Sequence, residues 1–171
     1  VYIDGARGRL AAAFGPLPRK PPLNARVTGT FEHESISVEK IIFESRPGFF
    51  VTSCLFKPSG AIGRLPAVVY LCGHTADGFR SETYQRVCLN LADKGFAVLA
   101  VDPIGQGERL QYFDPERGES AVGGATREHS YCGLQYLPTG RTAAMVRLWD
   151  CIRAVDYLHA RDDIDTTRIG A

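Results

Sequence analysis

The stretch AVVYLCGHTADGFRSETYQRVCLNLADKGFAVLAV, residues 67–101, decides the fold. It opens on five apolar residues, Ala67 to Leu71, bounded by Pro66 and Gly73, which suits a strand covered on both faces. Next comes a helical pattern, SETYQRVCLNLADKG, in which Tyr84, Val87, Cys88 and Leu91 fall at i, i+3, i+4 and i+7. Ser81 stands where a helix cap belongs, and Gly95 can take the left-handed conformation that ends a helix. Ala97 to Val101 is a second all-apolar run. Strand, amphipathic helix and strand in so short a span make a parallel pair joined by a right-handed crossover.

Upstream, SVEKIIFE and FFVTSCLFK are rich in β-branched and aromatic residues. Pro47-Gly48 between them is turn chemistry, so they read as an antiparallel hairpin. Residues 1–35 show little periodicity and carry Pro16, Pro18, Pro21 and Pro22, which remove backbone donors and favour extended chain. They read as a strap across the main body, with a proline-rich partner motif as the alternative, and residues 36–171 as one α/β unit.

Downstream, residues 103–140 are glycine-rich and long for a structureless connection, which implies function or short hidden elements. RTAAMVRLWDCIRAVDYLHAR (141–161) reads as a helix with Met145, Leu148, Trp149, Ile152 and Val155 in one apolar stripe and Leu158 beside it. Arg141, Arg147, Asp150 and Arg153 then form its polar face, with buried pairing open at Asp150. RIGA, 168–171, opens a third parallel strand, and the expectation is that more chain follows it.

The composition is ordinary for a folded protein, with 44% hydrophobic and 23% charged residues. Twenty basic against nineteen acidic side chains leave a net charge of +1, which makes no electrostatic case for nucleic acid or an anionic membrane. No apolar run approaches the roughly 18–20 residues of a membrane span. Five cysteines, at 54, 72, 88, 132 and 151, are an odd and irregular set, read as free thiols that favour a reducing, cytoplasmic setting. Secretion stays open if a leader preceded residue 1.

Two strand-to-helix junctions, YLCGHTADGF and VDPIGQGER, lie at the carboxyl ends of neighbouring parallel strands, where open α/β sheets bind ligands. Gly105-x-Gly107 suggests a phosphate cradle, but Leu110 stands where the third glycine of a dinucleotide fingerprint belongs. The ordered set of these junctions, the EKIIFESRPGFFVTSCLFKP hairpin and WDCIRAVDYLHARDDIDTTRIGA resembles the α/β-hydrolase fold. The likeness is to the acetyl xylan esterase and cephalosporin deacetylase branch and to dienelactone-hydrolase-like esterases. It implies a partial α/β-hydrolase fold: a mainly parallel sheet with an amino-terminal antiparallel hairpin and flanking helices.

The same resemblance implies a serine ester hydrolase whose nucleophile sits in a G-x-S-x-G elbow after the strand that RIGA begins. None of the eight serines present lies in such a motif, so residues 1–171 are expected to be inactive alone. Gly73 and His74 take the place of the family's oxyanion segment, with the His74 backbone N–H as donor and Thr75 beside it. His74 as the triad base conflicts with the fold's chain order. Asp102, Gly105, Gly107 and Arg109 become structural support near the pocket.

The resemblance implies no cofactor, and a small-molecule or carbohydrate ester as substrate. Partners left open are a complementary chain carrying the rest of the fold and a second copy. A non-catalytic binding module and a prolyl-oligopeptidase-like peptidase are the rival readings. Asp114, Glu116, Glu119, Glu128 and His129 lack any repeated ligand spacing and read as solvated loop rather than a metal site. His33 and His159 read as surface, Trp149 as core, and Tyr112, Tyr131 and Tyr136 as unplaced candidates for a substrate wall.

Overall fold

A computed structural model describes residues 2–171. Its elements, in chain order, are helix α1 (Tyr2–Phe14) and strands β1 (Arg26–His33), β2 (Ile36–Arg46), β3 (Phe49–Pro58) and β4 (Leu65–Leu71). Helix α2 (Glu82–Asp93) and strand β5 (Ala97–Val101) follow, then a two-strand hairpin of β6 (Phe113–Asp114) and β7 (Glu119–Ser120). Helices α3 (Ala125–Tyr136) and α4 (Ala143–His159) and strand β8 (Ile164–Gly170) complete the order.

Six strands form one sheet in the order β1-β2-β3-β5-β4-β8. The β4–β5 and β4–β8 pairs are parallel, while β1–β2, β2–β3 and β3–β5 are antiparallel. The crossover expected from residues 67–101 is present, and β8 is the third parallel strand. Gly48, at φ 71°, makes the turn between β2 and β3.

Every residue of β5 is buried, because helices cover both faces of the sheet. The pleat deals them out alternately. Ala97, Leu99 and Val101 face the core shared with Ala154, Tyr157 and Leu158 of α4. Val98 and Ala100 face Cys88 and Ala92 of α2.

Four readings of the sequence are corrected here. Residues 1–35 hold regular structure: Tyr2–Phe14 is helical and Arg26–His33 pairs with β2, leaving the intervening segment as the proline-rich stretch. Strand pairing supplies what local periodicity lacked. Ser81 occupies the cap position of α2 but makes no side-chain cap bond. The buried residues of α2 are Cys88 and Ala92, with Val87 exposed.

The fourth correction concerns α4, which is turned relative to the expected stripe. Val146, Trp149, Asp150, Arg153, Ala154, Tyr157 and Leu158 are buried, whereas Leu148, Ile152 and Val155 are half-buried. Two charged residues sit on the buried face because each finds a partner there. Arg153 donates to the Pro21 carbonyl at 2.5 Å and to Asp156 at 2.6 Å. Asp150 is met by Arg109.

Candidate active site

The loops at the carboxyl ends of β4 and β5 are held by one buried carboxylate. Asp102 follows the last residue of β5 and is 0% exposed. Its Oδ1 accepts from the Phe79 N–H at 2.9 Å. Its Oδ2 accepts from the Thr52 hydroxyl at 3.0 Å and the Glu108 N–H at 3.2 Å. Burial pushes its pKa up, against the lowering pull of these hydrogen bonds. Gly78 and Gly107 crowd this carboxylate: a Cβ at Gly78 would lie 1.8 Å from Oδ1, and one at Gly107 would lie 2.4 Å from Oδ2. Both have positive φ, so glycine is required twice over.

Arg109 ties the second loop to its surroundings. Its guanidinium donates to the Phe50 carbonyl at 3.0 Å, the Asp102 carbonyl at 2.8 Å and Asp150 Oδ2 at 2.9 Å. The glycine amides are spent internally: Gly105 N–H donates to the Arg109 carbonyl and Gly107 N–H to the Ala76 carbonyl. Amides committed to carbonyls cannot cradle a phosphate, so the dinucleotide reading of this loop fails on geometry.

The same loop orients Cys72–Gly78. Gln106 Nε2 donates to the Gly73 carbonyl at 2.7 Å. The peptide is trans and planar, so this bond points the His74 N–H the opposite way. That N–H has no hydrogen-bond partner among the described residues. Gly73 admits the Tyr84 hydroxyl, which a Cβ would meet at 2.7 Å. The Thr75 hydroxyl is engaged locally, accepting from the Asp77 N–H at 3.4 Å.

The His74 ring contacts His129 of α3, with centroids 4.8 Å apart. Arg147 Nη2 of α4 lies 2.7 and 2.5 Å from the His129 ring nitrogens. Burial first, then the Arg147 and His74 charges, lower the His129 pKa to about 4, so its ring is neutral near pH 7. Arg147 and Asp150 line a cavity of about 190 Å³ that Leu71, Cys72 and Val101 also border. Arg147 Nε and Asp150 Oδ1 are buried there without partners among the described residues. Ala76 and Asp77 of the same loop border a wider groove of about 870 Å³.

The structure thus brings Gly73, His74, Thr75, Asp102, Gly105, Gly107 and Arg109 into one cluster. Two residues assigned to a solvated loop belong with them. Glu128 is 0% exposed and accepts from the Gln111 N–H at 2.9 Å, the Tyr112 N–H at 3.2 Å and the Ser120 hydroxyl. His129 is half-buried against His74. The signal that could have found them is Ala125, Glu128 and Cys132 at i, i+3 and i+7, the buried set of α3. A carboxylate in the middle of that stripe disguised it. Tyr112 and Tyr131 meet edge-to-face at 5.9 Å, and Tyr112 accepts from Gln135 at 2.6 Å. Among the described residues, no group of three or more His, Cys, Asp or Glu is placed to hold a metal ion.

The fold recurs in solved structures. The crystal structure of a "putative acetyl xylan esterase" from Bacteroides fragilis NCTC 9343 superposes with a TM-score of 0.80 at 18% identity. It matches 97% of this chain and 44% of that one. The fold is that of the α/β hydrolases.

A second solved structure, the acetyl xylan esterase from Paenibacillus sp. R4, is 25% identical over 88% of this chain and 46% of its own, with a TM-score of 0.61. Among curated proteins, the "Putative hydrolase YtaP" of Bacillus subtilis (strain 168) is 27% identical over 96% of this chain. The chain spans about half the length of that relative, 53%. No protein-family model matches it.

Proposed function

We propose that this chain supplies the oxyanion side of the active site of a serine carboxylic ester hydrolase, an acetyl esterase acting on acylated carbohydrate or small esters. The observation that carries the proposal is the His74 N–H. It lies just past the carboxyl end of β4, is oriented by the Gln106–Gly73 hydrogen bond, and has no partner among the described residues. Acyl transfer places negative charge on the carbonyl oxygen of a tetrahedral intermediate. A fixed donor aimed at that oxygen contributes about 2.7–4 kcal/mol of transition-state stabilisation.

The serine comes from outside residues 1–171. Strand β8 runs parallel to β4 with Gly170 opposite Val68. A strand continued in that register would bring a position three residues beyond Gly170 level with Leu71, beside the donor loop. The relatives described as acetyl xylan esterases support the acetyl and carbohydrate parts of the reading.

Hydrolysis of nitrophenyl acetate tests it. The full-length protein turns over, and residues 1–171 alone do not exceed buffer. Replacing His74 by Pro removes the N–H and lowers kcat by about 10²–10³, whereas His74→Ala keeps the donor and loses far less. Equal losses in the two variants, or robust turnover by residues 1–171, sink the proposal. A full-length protein that folds but shows no hydrolysis favours the non-catalytic binding module.

A further inference from the structure

The groove of about 870 Å³ beside the candidate oxyanion loop has a composition that the acyl chemistry does not use. Ala76, Asp77 and Arg80 border it on one side, and Phe113, Arg117 and Glu119 of the β6–β7 hairpin on another. Its volume falls within the roughly 300–1,000 Å³ common for small-ligand sites.

The hairpin is held rigidly for so short an element. The buried Glu128 carboxylate takes both backbone N–H groups entering it and the Ser120 hydroxyl leaving it. The Ala121 N–H closes it onto the Tyr112 carbonyl at 2.7 Å. A fully desolvated carboxylate is costly unless each lone pair is met, and here one donor, Ser120, lines the groove while the other two lie on the chain that enters the hairpin. That wall is thereby set before any ligand arrives.

It presents an aromatic ring to solvent. Phe113 is 54% exposed, beside the Arg117–Glu119 ion pair. The charges that border the groove balance: Arg80, Arg117 and Arg127 against Asp77, Glu108 and Glu119. Such a lining offers no net field to an anion or a cation. The side chains of Arg127, Asp77 and Glu108 have no hydrogen-bond or ion-pair partner among the described residues. They offer donors and acceptors to a ligand rich in both. A sugar ring fits all three features, with hydroxyls around its edge, an apolar C–H face and no charge.

We propose that this groove binds the neutral glycan chain of an acylated carbohydrate, one sugar ring lying on Phe113 and its hydroxyls bonding Arg127, Glu108 and Asp77. The inference rests on the esterase reading for why a glycan comes there, but binding is measurable without turnover. Xylohexaose, cellohexaose and mannohexaose are titrated calorimetrically into the full-length protein and its Phe113→Ala and Phe113→Trp variants. Thermal melts confirm that each variant is folded.

At least one hexasaccharide binds the parent protein. Phe113→Ala weakens it about tenfold, the loss of one ring contact, and Phe113→Trp keeps the affinity. No binding of any of the three, or equal affinity in Phe113→Ala, overturns the proposal. Nitrophenyl acetate hydrolysis by the parent protein separates the two ideas. Glycan binding without hydrolysis sinks the esterase and keeps the groove, and hydrolysis without glycan binding does the reverse.

Discussion

At the amino ends of β4 and β8, four charged side chains satisfy one another. Arg161 meets Glu39 at 2.7 and 3.0 Å and Asp163 at 2.7 Å, and Lys57 meets the same two carboxylates at 2.7 and 2.8 Å. At the carboxyl ends, Arg109 and Asp150 are paired at 2.9 Å, yet Asp150 Oδ1 and Arg147 Nε are buried with no partner among the described residues. Similar residue types are used at both ends. The first group staples β2, β3 and the α4–β8 turn together, and its stability role accounts for every contact. The second leaves polar groups over, which in a folded protein marks either strain or a place where a ligand or another segment belongs. Open α/β sheets bind at the carboxyl ends of their strands, and the leftover groups are found there.

The comparison breaks most visibly at Arg109. Replacing it by Met leaves Asp150 buried and uncompensated and also frees the Phe50 and Asp102 carbonyls. Breaking such a pair from one side costs about 3–5 kcal/mol, read from denaturant unfolding. Arg109→Met with Asp150→Asn recovers part of that loss, because the stranded charge is gone. A double variant as unstable as the single would show that Arg109 acts through the carbonyls alone.

Asp163 tests the opposite end and gives a smaller effect. Its hydrogen bonds with Arg161 hold its carboxyl well below the usual range. Glu39 is also lowered: burial opposes this, but Arg161 and Lys57 prevail. A carboxylate with a depressed folded pKa contributes stability above its unfolded value of about 4, lost as pH falls through the folded value. Asp163→Asn therefore costs about 1–2 kcal/mol at pH 7, discounted for its partial exposure. The gap from the parent narrows as both are acidified below about pH 4. A gap unchanged down to pH 2 would show that the staple is not electrostatic.

The sequence made the sheet legible and half the site. Residues 67–101 announced the parallel pair because β5 is buried on both faces and so contains nothing polar. Pro47-Gly48 announced the hairpin because the turn needs the φ of 71° that Gly48 supplies. Asp102, Gly105, Gly107 and Arg109 stood out through the resemblance that DPIGQGER carries, and the close approach of Gly107 to the buried Asp102 carboxylate is one physical reason for that pattern. What stayed hidden was burial of charge. Glu128 and Arg153 are inside, each met by donors or acceptors from other segments, and periodicity counts them as surface, whereas the buried pairing left open at Asp150 is present. The α1 helix was hidden for the opposite reason, since none of its residues is buried and no stripe marks it.

The smallest effect lies within the carboxyl-end cluster, and it asks whether His74 and His129 sense each other. The His129 pKa stands at about 4, lowered by burial first, then by the Arg147 charge, then by His74. A histidine with a depressed folded pKa is neutral in the native state and charges more readily unfolded. It contributes stability above its unfolded value of about 6.5, which is lost as pH falls towards 4. Nuclear magnetic resonance titration of the ring should find the midpoint near 4 in the parent protein. Arg147→Gln raises it because a cation touching the ring is gone, and His74→Ala raises it by less because its charge is the smaller of the two influences. The order matters more than the size. If His74→Ala moves the midpoint further than Arg147→Gln, the rings are coupled more directly than their 4.8 Å contact implies. If neither variant moves it, burial alone sets the value, and the α3 helix touches the loop of residues 72–78 without conveying charge to it.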